Sequence, residues 1–412
     1  MAFVTPLKMF DAVYPEIAAF QDEAKKLRQQ IHANPELGYE EFSTSDLVAK
    51  CLESWGYAVT RGLGGTGVVG TLKRGKGPCL GLRADMDALP IHETTNLKYA
   101  SRVAGKMHAC GHDGHTVTLL SAAKYLAGHA AFSGTLNLIF QPAEEGLGGA
   151  LKMIEQGLLT QFPCDAVFAL HNTPGMPVGK FGFRAGPFLA SADTVTVRVN
   201  GRGGHGAMPH KAVDPILVCC SIVTALQSIV SRNIDPLDTA IISVGSIHAG
   251  LVSSVIPESA EIILTVRALK PDVRDLLEKR IKEVVQGQAI SFGASADIDY
   301  VRLYPVLVNH PAETAFARQV ACDWLGQANV IDDLRPITAS EDFAFILEKR
   351  PGSYLVTGNG DSMPLHHPGY DYNDSAISIG ANYWVKLAER FFDPTQTTEN
   401  VKPKSGVGVL PA

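Results

Sequence analysis

Four short β-rich runs constrain this chain most: residues 67–72, 79–83, 135–140 and 165–170 are apolar nearly end to end. A strand with one wet face alternates apolar and polar residues, whereas a near-continuous apolar run has both faces covered. Helical patterns lie between and before these runs. Leu47, Val48, Cys51, Leu52 and Trp55 recur at helical spacing behind Ser43, read as an N-cap with Asp46 three residues on, until Gly56 ends the helix. A small-residue helix is predicted over residues 115–127. Strands alternating with helices predict an α/β unit around a mainly parallel sheet.

The middle of the chain has another rhythm. Residues 194–199 alternate cleanly, a helix pattern fills 216–230, and strand patterns return at 239–247 and 261–269. A second helix covers 273–286 and a strand ends near Leu303. The order β-α-β-β-α-β describes a ferredoxin-like α+β sandwich. Beyond Pro305 come helices at 314–325 and 342–349, a strand at 353–357 and a last helix ending near Phe392. The predicted layout is therefore an α/β domain in two segments, 1–187 and 304–395, with a smaller domain inserted at 188–303 and a loose tail at 396–412.

Composition narrows the function classes. The 412 residues carry 36 basic and 42 acidic side chains, a formal net charge of −6, which disfavours a sequence-independent grip on nucleic acid or anionic lipid. The longest apolar stretch, 215–230, is interrupted by Ser221, Thr224, Gln227 and Ser228 and is shorter than the ~18 residues that suggest a membrane span. Residues 1–20 lack the basic-then-apolar layout of a secretory signal. Seven scattered cysteines with no CxxC pair read as reduced thiols. These features predict a cytoplasmic protein with neither nucleic acid nor membrane as partner.

Three apolar runs end in polar residues that packing does not explain: Asp85 and Asp87 after the second, Glu144 and Glu145 after the third, His171 after the fourth. In an open α/β sheet the ligand crevice lies at the carboxyl ends of the strands, so these groups are expected to converge. A Gly-rich segment, Met107-His-Ala-Cys-Gly-His-Asp113, adds Cys110 and His112, which in an extended loop can face one cation. Adjacent carboxylates resist burial unless a cation sits with them. Thiolate, imidazole and carboxylate are together the donor set of a borderline-soft metal such as zinc. Singly, each signal has a plainer reading. Glu-Glu pairs are usually solvated, a strand-end histidine is usually a satisfied polar residue, and Asp85 and Asp87 serve equally as turn residues before Pro90. A Cys110–His112 nucleophilic pair is a rival, but it strains in-line geometry and leaves the carboxylates unexplained.

The motifs are also familiar in combination. Arg83-Ala-Asp-Met-Asp-Ala-Leu-Pro90, the Cys110 segment, Gln141-Pro-Ala-Glu-Glu-Gly146 and Leu170-His-Asn-Thr-Pro-Gly175 occur in order. Gly201-Arg-Gly-Gly-His-Gly-Ala-Met-Pro-His210, Glu341-Asp-Phe-Ala344 and Leu365-His-His-Pro-Gly-Tyr-Asp-Tyr-Asn-Asp374 follow them. With these, from Ile31-His-Ala-Asn-Pro-Glu36 to Trp384, the chain resembles the two-metal amidohydrolases that include hippurate hydrolases, indole-acetyl-amino-acid hydrolases and aminoacylases.

The resemblance implies an α/β catalytic domain with an inserted lid and dimerisation domain, assembled as a homodimer or a dimer-based tetramer. It implies two divalent ions, zinc first, with manganese, cobalt or nickel as alternatives. Their ligands would be Cys110 (bridging), His112, Glu145, His171 and His366, with Asp87 supporting them. It gives Glu144 the role of general base and His205 that of a donor to the developing oxyanion in the partner's site. Arg267 and Ser254 fall at substrate-contacting positions, Ser254 standing where the family usually has Asn. The implied substrate is a small N-acyl amino acid, an aromatic acyl group such as benzoyl being favoured. The alternative is a dipeptidase or carboxypeptidase of the same family.

Overall fold

The apolar runs become the centre of an eight-stranded sheet in a computed structural model that describes residues 12–393 and 395. The chain begins with α1 (Pro15–Ala33), α2 (Phe42–Ser54), β1 (Ala58–Leu63), β2 (Gly67–Arg74) and β3 (Cys79–Asp85). It continues through α3 (His112–Gly128), β4 (Gly134–Gln141), α4 (Gly149–Glu155), α5 (Leu158–Gln161), β5 (Ala166–Pro174) and β6 (Phe181–Gly182). A second set follows: β7 (Gly186–Leu189), β8 (Ala192–Asn200), β9 (Gly204–His205), α6 (Pro215–Asn233), β10 (Ala240–Ala249) and β11 (Val255–Ile256), then β12 (Ser259–Ala268), α7 (Pro271–Ser291), β13 (Ser295–Tyr304) and β14 (Leu307–Asn309). The chain closes with α8 (Pro311–Leu325), β15 (Val330–Ile331), α9 (Ala344–Leu347), β16 (Gly352–Gly360) and α10 (Ser375–Phe391).

The described residues form two compact units. The first draws on the described residues up to Ala185, on His310–Asp333 and on those from Lys349 onward, the second on Gly186–Asn309 and Leu334–Glu348. Residues 334–348, which the sequence grouped with the returning segment 304–395, cluster with the second unit. There Ile337 N–H donates to Phe188 O and Ala190 N–H to Ala339 O. The tail expected at 396–412 lies outside the described residues.

In the first unit the strand order is β1-β2-β4-β3-β5-β16-β6-β15. The centre, β4-β3-β5-β16, is parallel, but β1, β2 and β4 pair antiparallel, as do β16 and β6. The mainly parallel sheet expected from the sequence is thus a mixed one. The reason is local: Gly64 and Gly65, both at positive φ, close a tight turn between β1 and β2, and so short a connection permits only a hairpin. The central strands are buried at nearly every position, as their composition requires. Leu80, Leu82, Leu138, Phe140, Phe168 and Leu355 share one core with Leu119, Leu120 and Ala123 of α3 and with Tyr383 and Trp384 of α10. Each such side chain contributes roughly 1.5–3 kcal/mol by leaving water.

Two helix starts differ from expectation. Ser43 does not cap α2, which begins at Phe42; the Glu36 carboxylate accepts the Ser43 and Thr44 N–H groups instead, at 2.8 and 2.9 Å. Helix α3 starts at His112, so the segment after Cys110 is not an extended loop. Gly111, at φ 90°, is its left-handed N-cap. Gly114 lies inside the helix because a Cβ there would meet the Tyr372 ring at 2.3 Å.

The second unit holds an antiparallel sheet of order β10-β12-β8-β13. Val218, Ile222 and Leu226 of α6 and Leu277, Ile281 and Val285 of α7 pack on Val195, Val197, Ile262 and Leu264 of its strands. The buried Arg274 guanidinium donates to Asp193, which also accepts from Tyr300 Oη at 2.8 Å, tying α7 to β8 and β13. Helix α6 runs 19 residues, longer than the stretch read from sequence, and by length and composition it could cross a membrane. Asp214 caps the helix by accepting the Ile216 N–H, most of the added residues lie at its far end, and one side of α6 is occupied by the sheet.

Candidate metal centre

Because β3, β4 and β5 are parallel neighbours, their carboxyl ends lie along one edge. Asp85 ends β3, with Asp87 two residues on; Glu144 and Glu145 follow β4; His171 lies on β5. Cys110 and His112 arrive on the turn into α3. His366 arrives on the loop after β16, held by its own N–H donating to Ala109 O at 2.8 Å. His366 takes a left-handed backbone at φ 64°, uncommon for a residue with a side chain and maintained here by that tie.

The donor atoms form overlapping groups. Those of Cys110, His112 and His171 lie within 4.8 Å of one another, and so do those of Cys110, Glu145 and His366. A third group joins His112, Glu144 and Glu145. Cys110 belongs to the first two.

Neighbouring groups decide which atom each histidine presents. His171 Nδ1 donates to Asn172 O at 2.7 Å, leaving the Nε2 lone pair 3.4 Å from Cys110 Sγ. His112 Nδ1 pairs with Asp87 Oδ1 at 3.2 Å, while Asp87 Oδ2 accepts the Glu145 N–H at 2.9 Å. One buried carboxylate therefore orients two donors. The result is an unbalanced interior: His112 Nε2 is buried with no hydrogen-bond partner among the described residues, while Glu145 Oε1, 3.9 Å from it, faces His366 Nε2 at 3.2 Å. Orphaned buried polar atoms are costly unless something unseen satisfies them. A cation shared by imidazole, carboxylate and thiolate would do so. The residues present fit such an ion.

The electrostatics agree. Hydrogen bonding to Cys110 and Glu145 pushes His366 up to about 10, so the spot beside those two groups favours positive charge. Burial pushes the Cys110 thiol up, and it needs a cation close by to ionise. Burial disfavours charge on Asp85, yet His112 and Arg83 hold its carboxyl well below the usual range. Asp85 and Asp87 are thus buried, hydrogen-bonded groups rather than exposed turn residues.

Sequence reasoning did not single out the frame behind the donors. Asp85 Oδ1 pairs with His115 Nδ1 at 2.7 Å, and His115 Nε2 accepts the Asn172 N–H at 3.0 Å. Asn172 Nδ2 donates to Cys110 O and Tyr370 Oη to Asn172 Oδ1, both at 2.7 Å. Behind these, the fully buried Arg28 of α1 donates to Asp374 at 2.7 Å and to Asp371 at 3.2 Å, and it lies 3.4 Å from Asp113. His32 pairs with Asp113 at 2.9 Å. The available signal was spacing alone: His112 and His115 share a helix face, as do Arg28 and His32.

The remaining candidates belong to the second unit. His205 in β9 pairs with Val255 of β11 and is exposed; its Nδ1 accepts the Ala207 N–H at 3.0 Å, so Nε2 carries the proton. Ser254 is exposed, and its carbonyl accepts the Gly206 N–H at 2.7 Å. Arg267 stands elsewhere, on β12, where Nη1 donates to Ser340 Oγ at 2.9 Å.

A profile described as peptidase family M20/M25/M40 matches residues 81–390. The chain belongs to that family. It is thereby a hydrolase of amide bonds. Hippurate hydrolase of Campylobacter jejuni is 46% identical over 92% of this M20-family chain and 98% of its own length. Thermostable carboxypeptidase 2 of Saccharolobus solfataricus is 37% identical over 91% and 97%. Among solved structures, the Bacillus subtilis YXEP protein, described as a dinuclear metal binding peptidase of the M20 family, superposes with a TM-score of 0.80 at 32% identity, covering 91% of this chain and 99% of that one.

Proposed function

We propose that this M20-family chain hydrolyses the amide bond of N-acyl amino acids, releasing a carboxylic acid and a free amino acid, with benzoyl and other aromatic acyl groups preferred. The observation that carries the reading is the crowding of thiolate, imidazole and carboxylate donors into groups that share Cys110, with His112 Nε2 buried and left without a hydrogen-bond partner among the described residues. Two divalent ions would be held by Cys110, His112, Glu145, His171 and His366, the thiolate favouring zinc over manganese, cobalt or nickel. The dinuclear description of the YXEP protein supports the count. The aromatic preference rests on the likeness to hippurate hydrolase.

When bound, the ions acidify water and polarise the scissile carbonyl. Glu144 takes the proton of the attacking water and later returns it to the leaving amine, one carboxylate serving as base and then acid. Glu145 stays ionised as a donor; that division of labour is why two adjacent carboxylates are needed. Asp87 keeps His112 and Glu145 oriented. His205, presented by the second copy in a homodimer, donates from Nε2 to the tetrahedral oxyanion, and Arg267 and Ser254 contact the substrate. All seven cysteines are free thiols, which suits the reducing cytoplasm.

The carboxypeptidase relative favours a second reading, cleavage of peptides by the same machinery. Purified enzyme, stripped with chelator and reloaded with one ion at a time, is assayed on N-benzoyl and N-acetyl amino acids and on glycyl dipeptides. The proposal expects hippurate to lead; dipeptides leading would support the second reading. Hydrolysis that survives complete stripping would remove the metal-dependent account altogether.

A further inference from the structure

Glu41 is a fully buried carboxylate for which neither the fold nor the donor cluster has yet given a reason. It stands immediately before α2, the place of a helix cap, yet its side chain makes no capping bond; Glu36 already accepts the first N–H groups of that helix. Its two oxygens go elsewhere. Oε1 accepts the N–H of Ala143 at 2.8 Å and Oε2 accepts from Thr66 Oγ1 at 2.5 Å. Burial lifts the Glu41 carboxyl to about 7, against the Thr66 hydrogen bond and with help from nearby Asp87. Keeping an acid there is costly unless its hydrogen bonds serve the fold around it.

What it holds is the residue before Glu144. Ala143 has φ 54°, a left-handed backbone that a residue with a Cβ resists by roughly 1–2 kcal/mol. The surrounding turn leaves it little room. Gly149 N–H donates to Ala143 O at 3.0 Å, and a Cβ on Gly149 would strike Pro142 O at 1.7 Å. A Cβ on Gly38 would approach Ala143 Cα to 3.0 Å. From this turn a Glu144 oxygen comes within 4.8 Å of donor atoms of both His112 and Glu145.

We infer that Glu41 is a positioning residue for Glu144: its carboxylate fixes the left-handed turn at Ala143 and so delivers the base to the donor cluster. The inference rests on the role proposed for Glu144 and extends it to a residue that touches neither the donors nor the substrate. Without an acceptor, the Ala143 N–H is left buried and unpaired and the turn can relax towards ordinary φ. Displacements of about 1 Å at a reacting group cost on the order of 100-fold in rate.

The test compares metal-loaded wild type with Glu41→Ala, Glu41→Gln, Ala143→Gly and the double variant Glu41→Ala/Ala143→Gly. Glu41→Ala is expected to lower kcat about 10- to 100-fold with KM changed less than about threefold. Glu41→Gln, which still offers an oxygen to Ala143, is expected to stay within about fivefold of wild type. Because glycine accepts φ 54° freely, Glu41→Ala should cost less in the Ala143→Gly background than alone. Amide hydrogen exchange over residues 142–149 supplies a readout independent of turnover: it should rise in Glu41→Ala and not in Glu41→Gln. Equal exchange in all variants, or additive losses in the double variant, would overturn the inference. If wild type itself hydrolyses none of the acyl amino acids or dipeptides, the proposed function fails, while the exchange result still decides whether Glu41 holds the turn.

Discussion

The candidate residues of the two units differ in how their polar atoms are satisfied. In the first unit, His112 Nε2 is shut away from water with no hydrogen-bond partner among the described residues, and Glu145 Oε1 beside it faces His366 Nε2 at 3.2 Å. In the second, His205 and Ser254 are exposed, and water can meet every demand their side chains make. A buried orphan among clustered thiolate, imidazole and carboxylate donors points to a missing ligand from a single chain. An exposed histidine acquires a role only when something approaches it. The donor cluster therefore rests on geometry, whereas the roles proposed for His205, Ser254 and Arg267 rest on the motifs around them.

That contrast can be broken in order of expected effect. Cys110→Ala removes the donor common to two groups; bound metal should fall and turnover should drop to background, and full metal content by elemental analysis would count against a shared thiolate. Glu144→Gln should lose about 100- to 10,000-fold in kcat with both ions retained. Undiminished turnover would dismiss Glu144 as the base, and loss of metal would make it a ligand instead. His205→Ala should cost about 100- to 1000-fold in kcat with metal content unchanged; if only KM moves, its role is binding rather than oxyanion stabilisation. Asp87→Asn should weaken metal affinity by about 10- to 100-fold, since it orients His112 and Glu145 together. A competitive chelator titration measures this.

The smallest effect on turnover is expected behind the site. Burial opposes a charge on His32, but its hydrogen bonds to Asp113 and Glu93 prevail and push it up to about 9. A folded-state value above the unfolded one means that the native chain holds this proton more tightly. Its contribution is complete below about 6.5 and fades as pH rises through 9. Urea midpoints of wild type should therefore fall over that window more steeply than those of His32→Gln. Parallel curves would show that the pair carries no such linkage.

Much of the site was legible because its residues are chemically out of place. Acidic and imidazole side chains at the ends of apolar strands have no packing rationale, and that alone gathered Asp87, Glu144, Glu145 and His171 with Cys110 and His112. His366 came only through the resemblance, its loop having no local signal. Glu41 and Asn172 were missed because a buried polar residue that supports others looks, in one dimension, like any surface Glu or Asn. The same blindness misplaced the cap of α2, served by Glu36 from outside the helix, and the start of α3, where Gly114 is explained by the Tyr372 ring rather than by a break in the helix.

The amino-acid order determined, by itself, that covered strands alternate with helices, that an α+β block interrupts them, and which residue types could hold cations. Such features are local: they depend on side-chain period and on the residues adjoining each strand end. The tertiary structure decided that β1 and β2 turn antiparallel, that residues 334–348 cluster with the second unit, and which nitrogen each histidine presents. Those outcomes depend on partners far away in sequence, such as Asp87 for His112 and Glu41 for Ala143. Contacts of that kind come into being only when the sheet assembles and closes water out.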